Sequence, residues 1–132
     1  MNHRITFATF NIALAVALGA LGAHFLKEHL SADSLDSFET GVRYHLFHGL
    51  ALLVIPCLPI AKNKLKTPWR IMALGMILFS FSIYGLSTRS LFGLESGLRW
   101  LGPITPLGGI LLILSWLWIS FISTFRIREL AE

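Results

Sequence analysis

The chain has 132 residues, 55% of them hydrophobic and only 14% charged. That balance excludes an ordinary soluble domain of this size, which must keep much of its surface polar. Its formal net charge is +4, but the basic residues gather at the ends of apolar segments and not along one face, so the excess reads as membrane topology and excludes a nucleic-acid surface. The expected class is integral membrane and all-α: a four-transmembrane-helix bundle forming one domain over residues 1–132.

Apolar segments run from about 5–26, 44–61, 69–88 and 101–125. Each is long enough, at ~1.5 Å per residue, to cross a hydrocarbon core of ~30 Å. The first follows Arg4 and has signal-like alanine spacings, yet it exceeds the ~7–15 residue core of a cleavable signal, so it reads as a span. Its small residues form two stripes: Ala8, Asn11, Ala15, Gly19 and Gly22 on one, and Ala13, Ala17, Ala20 and His24 on the other. Small residues let helix backbones approach closely in lipid, so two such stripes suit a helix at the centre of the bundle.

Ahead of the second segment, Leu35, Phe38, Val42 and Leu46 recur at helical spacing and predict an interfacial helical extension leading into that span. Within it, Glu39 and Arg43 stand at i,i+4 in the favourable order for an ion pair. Asp36 and Glu39 also fit an acidic capping box, with Asp36 as N-cap. The structural readings of Glu39 and a ligand or proton role both remain open. Tyr44 and His48 share a face, and His48 lies deeper than Glu39 and needs a partner, for which His24 on the first span is the candidate. Cys57 reads as packing.

Lys62, Lys64 and Lys66 follow Pro56 and Pro59 and mark the second connection. If all four segments cross, Arg4, Lys62, Lys64, Lys66, Arg70, Arg126 and Arg128 share one side, against Lys27, Arg43, Arg89 and Arg99 on the other. The bias places both chain ends in the cytoplasm of a bacterial inner membrane. The third segment ends on Tyr84 and Ser87. Arg99 with Trp100, and the later Trp116 and Trp118, read as interfacial anchors. Thr105 precedes Pro106 as an N-cap precedes a first-turn proline, opening the fourth helix. Gly108, Gly109 and Ser115 supply its small face.

This topology brings His24, Lys27, Glu39, Arg43, Tyr44, His48 and Thr105, with Tyr84 and Ser87, to one outer layer. The first seven are the expected binding or structural polar cluster. Three nearby histidines raise metal or haem ligation and proton relay. His45 and His48 are only three apart, with no cysteine partner and no His-Glu-x-x-His pattern, so no metal or cofactor is expected. No phosphate loop, nucleophile elbow or catalytic carboxylate pair occurs.

Four stretches carry a resemblance: Ala20-Leu-Gly-Ala-His24, Phe38-Glu-Thr-Gly-Val-Arg-Tyr-His45 with His48, Phe79-Ser80 with Ser82 and Tyr84, and Gly102-Pro-Ile-Thr-Pro-Leu-Gly-Gly109. In this order and spacing the chain resembles, over almost its whole length, the small inner-membrane proteins of the Domain of Unknown Function 423 family, the YgdD-like group. The resemblance implies a four-helix membrane protein with no established activity and no catalytic residue. At His45 it implies a variable polar residue, which shifts weight to His24, Glu39, Arg43 and His48.

The expected function is non-enzymatic: a structural, lipid-binding or partner-binding membrane protein. Arg43 and Lys27 would contact an anion, Glu39 would hold Arg43, and His24 with His48 would tie the first two spans. Partners are membrane lipids, another membrane protein or a second copy of the chain, with no nucleic acid. The alternative is a small oligomeric transporter or proton-coupled carrier, for which the apolar run Ala51 to Ile60 offers little polar lining.

Overall fold

A computed structural model describes residues 3–94 and 96–131, with side chains described to Thr124. Four long helices account for most of it: α1 (His3–Leu21), α2 (Ala32–Val54), α3 (Lys62–Thr88) and α4 (Ile104–Ala131). The side chains of Arg126 and Arg128, counted above for topology, lie outside the described residues.

At the end of α1, a π turn over Gly22–Leu26 gives way to a last turn at Lys27–His29. The chain then extends through Leu30 and Ser31. The Ser31 hydroxyl accepts from the Ser34 amide at 3.3 Å, which makes Ser31 the N-cap of α2. The expected cap at Asp36 is therefore displaced by five residues. Asp36 lies inside the helix, because an earlier serine with extended backbone already meets the capping requirement.

The interfacial extension and the second span form one uninterrupted helix of 23 residues. It stops at Val54, well before the expected 61, because Pro56 tightens the chain into a short 3-10 turn and Leu58 is extended. Helix α3 begins at Lys62, so Lys62, Lys64 and Lys66 belong to its first turns and not to a loop. It runs on through Pro68. A 3-10 turn at Arg89–Phe92 and Gly93, in the left-handed region at φ 64°, end it. A second 3-10 turn at Arg99–Leu101 leads into α4.

Adjacent helices are antiparallel, α1 against α2, α2 against α3 and α3 against α4. Both ends of the described chain and the 55–61 connection lie at one end of the bundle, here the lower end. Connections 30–31 and 89–103 lie at the upper end. The central helix is α3, not α1. Ala8, Asn11, Ala15 and Gly22 of the first stripe face α2 and are buried, but Ala13, Ala17, Ala20 and His24 are exposed, so α1 is contacted on one side only. Its second small stripe has no neighbouring helix within this chain.

Two apolar cores result. The lower holds Leu52, Ile55, Leu65, Trp69, Met72, Met76 and Leu112, and the upper holds Leu26, Phe38 and Tyr84. Around them the molecule presents apolar side chains outward, including Phe10 and Val16 on α1, Phe47 on α2, and Ile113 and Leu117 on α4. Such a surface is stable against lipid and not against water. Cys57, expected in the packing, is exposed at the lower turn. Among the described residues, three stretches are long and apolar enough to cross a membrane: His3–His29, Lys62–Phe92 and Arg99–Thr124. Helix α2 is not among them, because Asp33, Asp36, Glu39 and Arg43 charge its first half and Tyr44, His45 and His48 follow.

Candidate functional site

Between the two cores lies a layer of buried polar side chains. Its centre is His45, which is 0% exposed. The stripe Phe38, Gly41, His45, Gly49 and Leu52 is the face of α2 that the bundle buries, so the imidazole enters roughly 20 Å along the helix from its start. The His45 Nε2 lies 3.1 Å from Asn11 Oδ1 on α1, and Nδ1 lies 3.1 Å from the Tyr84 hydroxyl on α3. Asn11 Nδ2 donates to the Phe7 carbonyl at 2.8 Å, which assigns Oδ1 as the acceptor.

One proton arrangement satisfies the whole chain. Nε2–H donates to Asn11, and the bare Nδ1 accepts from Tyr84. A neutral imidazole with both nitrogens engaged ties three helices together at mid-depth. Such a residue has no lone pair left for a metal.

His48 is engaged separately. Its Nδ1 donates to the Tyr44 carbonyl at 2.8 Å, and its Nε2 accepts from the Trp116 indole at 3.2 Å. The expected tie between His24 and His48 is therefore replaced by one between α2 and α4, because His24 lies on the outward stripe of α1. Trp116, expected as an interfacial anchor, is a cross-helix donor. Tyr44 is partly exposed and packs its ring on Phe79 at 4.6 Å.

Thr105 does not cap α4. The helix has already started at Ile104, and the Thr105 hydroxyl lies 2.7 Å from that of Ser82 on α3. Arg43 does not pair with Glu39. Its guanidinium donates to Thr40 at 3.1 Å and reaches Asp36 at 3.7 Å, with both charged side chains well exposed. Residues 36, 40 and 43 form one stripe, and a long side chain leaning toward the helix N-terminus follows that stripe. Glu39 and Arg43 line one shallow groove of about 240 Å³ against Gly19 and Gly22, and His24 and Lys27 line another beside it.

The seven expected cluster residues are thus spread over three places: the rim of α1 and α2, the α2–α4 tie and the α3–α4 tie. Asn11, His45 and Tyr84, which the structure does bring together, include the histidine given least weight. The signals for them were an amide in mid-span of α1 and a histidine flanked at i−4 and i+4 by glycines, the residues that allow close helix approach. The described residues contain no group of three His, Cys, Asp or Glu side chains placed to hold a metal.

A helical chain with an outward apolar surface and an interior layer of hydrogen-bonded polar side chains is an all-α polytopic membrane protein. The chain belongs to the family described as protein of unknown function (DUF423), whose profile matches residues 18–109. Among relatives, the UPF0382 membrane protein YwdK of Bacillus subtilis is 38% identical over 87% of this chain and 90% of its own length. The UPF0382 membrane protein SSP2132 of Staphylococcus saprophyticus is 35% identical, covering 93% and 97%. A UPF0382 membrane protein of Haemophilus influenzae is 32% identical over 98% of both chains. No solved structure matches the chain.

Proposed function

We propose that the protein is a non-catalytic, four-span protein of the bacterial inner membrane, with both chain ends in the cytoplasm, that binds phospholipid headgroups at its upper, outward-facing end. The observation that carries this reading is the division of polar groups. Asn11, His45, His48 and Tyr84 in the interior are engaged with protein partners, whereas Lys27, Arg43, Arg89 and Arg99 stand exposed together at the upper end. Arg4, Lys62, Lys64, Lys66 and Arg70 occupy the lower end, and that excess supports its assignment to the cytoplasm.

Crossing by α2 follows from length. Its apolar part alone, 44–54, spans only ~16 Å, and the whole helix spans ~34 Å, so α2 crosses with its exposed Asp33, Asp36, Glu39 and Arg43 held toward the outer headgroup layer. A carrier would need polar side chains lining a water path, and His45 and His48 instead spend both ring nitrogens on protein partners.

Native mass spectrometry of the intact protein, extracted in mild detergent, tests the reading. Retained phospholipid mass is the expected result. A bare polypeptide, or one carrying haem or metal, overturns it.

A further inference from the structure

We infer that the upper end holds a specific site for an anionic phosphate ester, formed by Ser31, Ser34, Ser87, Arg89, Ser90 and Arg99. This inference rests on the lipid reading above and gives it an address. These residues, with Leu86, line a groove of about 380 Å³ between the start of α2, the end of α3 and the turn leading to α4. Among the described residues its wall carries four hydroxyls and two guanidiniums and no acid. The adjoining groove, which shares Ser34, Ser87 and Arg89, holds Asp33, so the anion is confined to the acid-free part.

Three independent features point to a ligand. Ser87 is only 5% exposed and its hydroxyl has no hydrogen-bond partner, although buried hydroxyls in folded proteins are almost always satisfied. Ser87 lines the groove wall, and rotation about its Cα–Cβ bond is what would bring this enclosed hydroxyl to an incoming acceptor. Arg89 and Arg99 have no ion pair among the described residues, whereas Arg43 on the same end does. Guanidinium is suited to bidentate recognition of phosphate oxygens. The groove also abuts the N-terminus of the 23-residue α2, where the helix dipole favours an anion.

The turn that builds the site is fixed by backbone. Gly93 takes φ 64°, and the Leu94 amide donates to the Arg89 carbonyl at 3.0 Å, reversing the chain so that Arg89 and Arg99 reach one groove. Beside it Phe92 is 70% exposed and Trp100 is 62% exposed. Apolar rings flanking a basic, hydroxyl-lined groove match the boundary between acyl chains and headgroups. The phosphate of a lipid headgroup and free phosphate offer the groove the same chemistry, and the measurement below separates them.

The experiment is native mass spectrometry of the full chain in mild detergent with added phosphatidylglycerol, with phosphatidylcholine and inorganic phosphate as further probes. Circular dichroism checks that each variant is folded. The double variant Arg89→Gln, Arg99→Gln is expected to reduce phosphatidylglycerol retention about tenfold or more, the loss of charge-assisted bonds. Ser87→Ala removes one neutral donor, keeps the packing and is expected to reduce it about threefold. Lys27→Gln with Arg43→Gln is expected to reduce it less than either of the other two variants, because both residues lie outside this groove.

Competition by inorganic phosphate would support the site with free phosphate as its source, and retention unaffected by it would support the lipid. If Lys27→Gln, Arg43→Gln loses the lipid while the Ser87 and Arg89–Arg99 variants keep it, this site is overturned and the lipid reading stands. If the unmodified protein retains no phospholipid and shows no shift in thermal midpoint with inorganic phosphate, both fall.

Discussion

The seam between α3 and α4 and the seams that α2 makes with α1 and α3 hold helices together by different means. Across α3 and α4 the contact is made by absent side chains. Gly75 lies where a Cβ would be 3.0 Å from the Gly108 carbonyl oxygen, and Gly108 lies against the backbone of Phe79. Across α2 the contact is made by side chains that reach, Asn11 to His45 to Tyr84, with Trp69 Nε1 donating to the Leu52 carbonyl at 2.8 Å nearer the lower end. Lipid tails are as apolar as leucine, so neither seam gains from hydrophobic association. Close packing and hydrogen bonding are the two means left, and the seams weight them differently: the glycine seam adds the Ser82–Thr105 bond, and the α2 seams keep Gly41 and Gly49 at their contacts.

The larger sensitivity is expected at the glycine seam. A Cβ on Gly108 would meet the Phe79 backbone nitrogen and come within 2.8 Å of its Cα, and backbone cannot rotate aside as a flexible side chain can. Gly108→Val should force α4 away from α3, costing about 3 kcal/mol or more and also lengthening the Ser82–Thr105 hydrogen bond. Gly109→Ala, one residue on, has 3.6 Å to the Phe79 ring and should change stability little. Thermal unfolding in detergent reads both. Equal midpoints for Gly108→Val and Gly109→Ala would mean that the seam is not set by backbone contact.

The polar seam should respond less per residue but with a distinct signature. His45→Leu strands the Asn11 oxygen and the Tyr84 hydroxyl together, for which about 2 kcal/mol is expected. Measured interhelical hydrogen bonds in lipid average nearer ~0.6 kcal/mol, so the test is non-additivity and not size. Once His45 is leucine, a further Tyr84→Phe removes an already unsatisfied group and should cost little or even restore stability. Additive losses from the two substitutions would show that the imidazole and the phenol do not act as a unit.

The two seams were unequally legible in the sequence. Hydropathy marks four segments, and the stripe Ala8, Asn11, Ala15 and Gly22 does face a neighbour, because small residues in lipid have few other uses. Gly108 was likewise readable as a contact. The partners were not, since Asn11, His45 and Tyr84 are 34 and 39 positions apart and no local pattern reports which faces of separate helices meet. Tertiary geometry also decided the centre of the bundle. Two small stripes favour α1, but only one of them is used, and α3 sits between α2 and α4. The Arg89 and Arg99 groove needs the Gly93 reversal, which brings two arginines ten residues apart onto one surface.

The smallest effect is expected at the rim, where the exposed Arg43 pair can be set against the buried ties. Its guanidinium reaches Asp36 at 3.7 Å, and the two side chains are 60% and 80% exposed. Solvent screens such a pair and leaves it a few tenths of a kcal/mol at most. Arg43→Ala and Asp36→Ala should therefore each shift the thermal midpoint by less than any buried substitution, and Glu39→Gln should leave it unchanged, because the arginine leans along the 36–40–43 stripe and not toward Glu39. A midpoint loss for Glu39→Gln that matches Arg43→Ala, and disappears in the double variant, would restore the i,i+4 pair in place of the two-turn one.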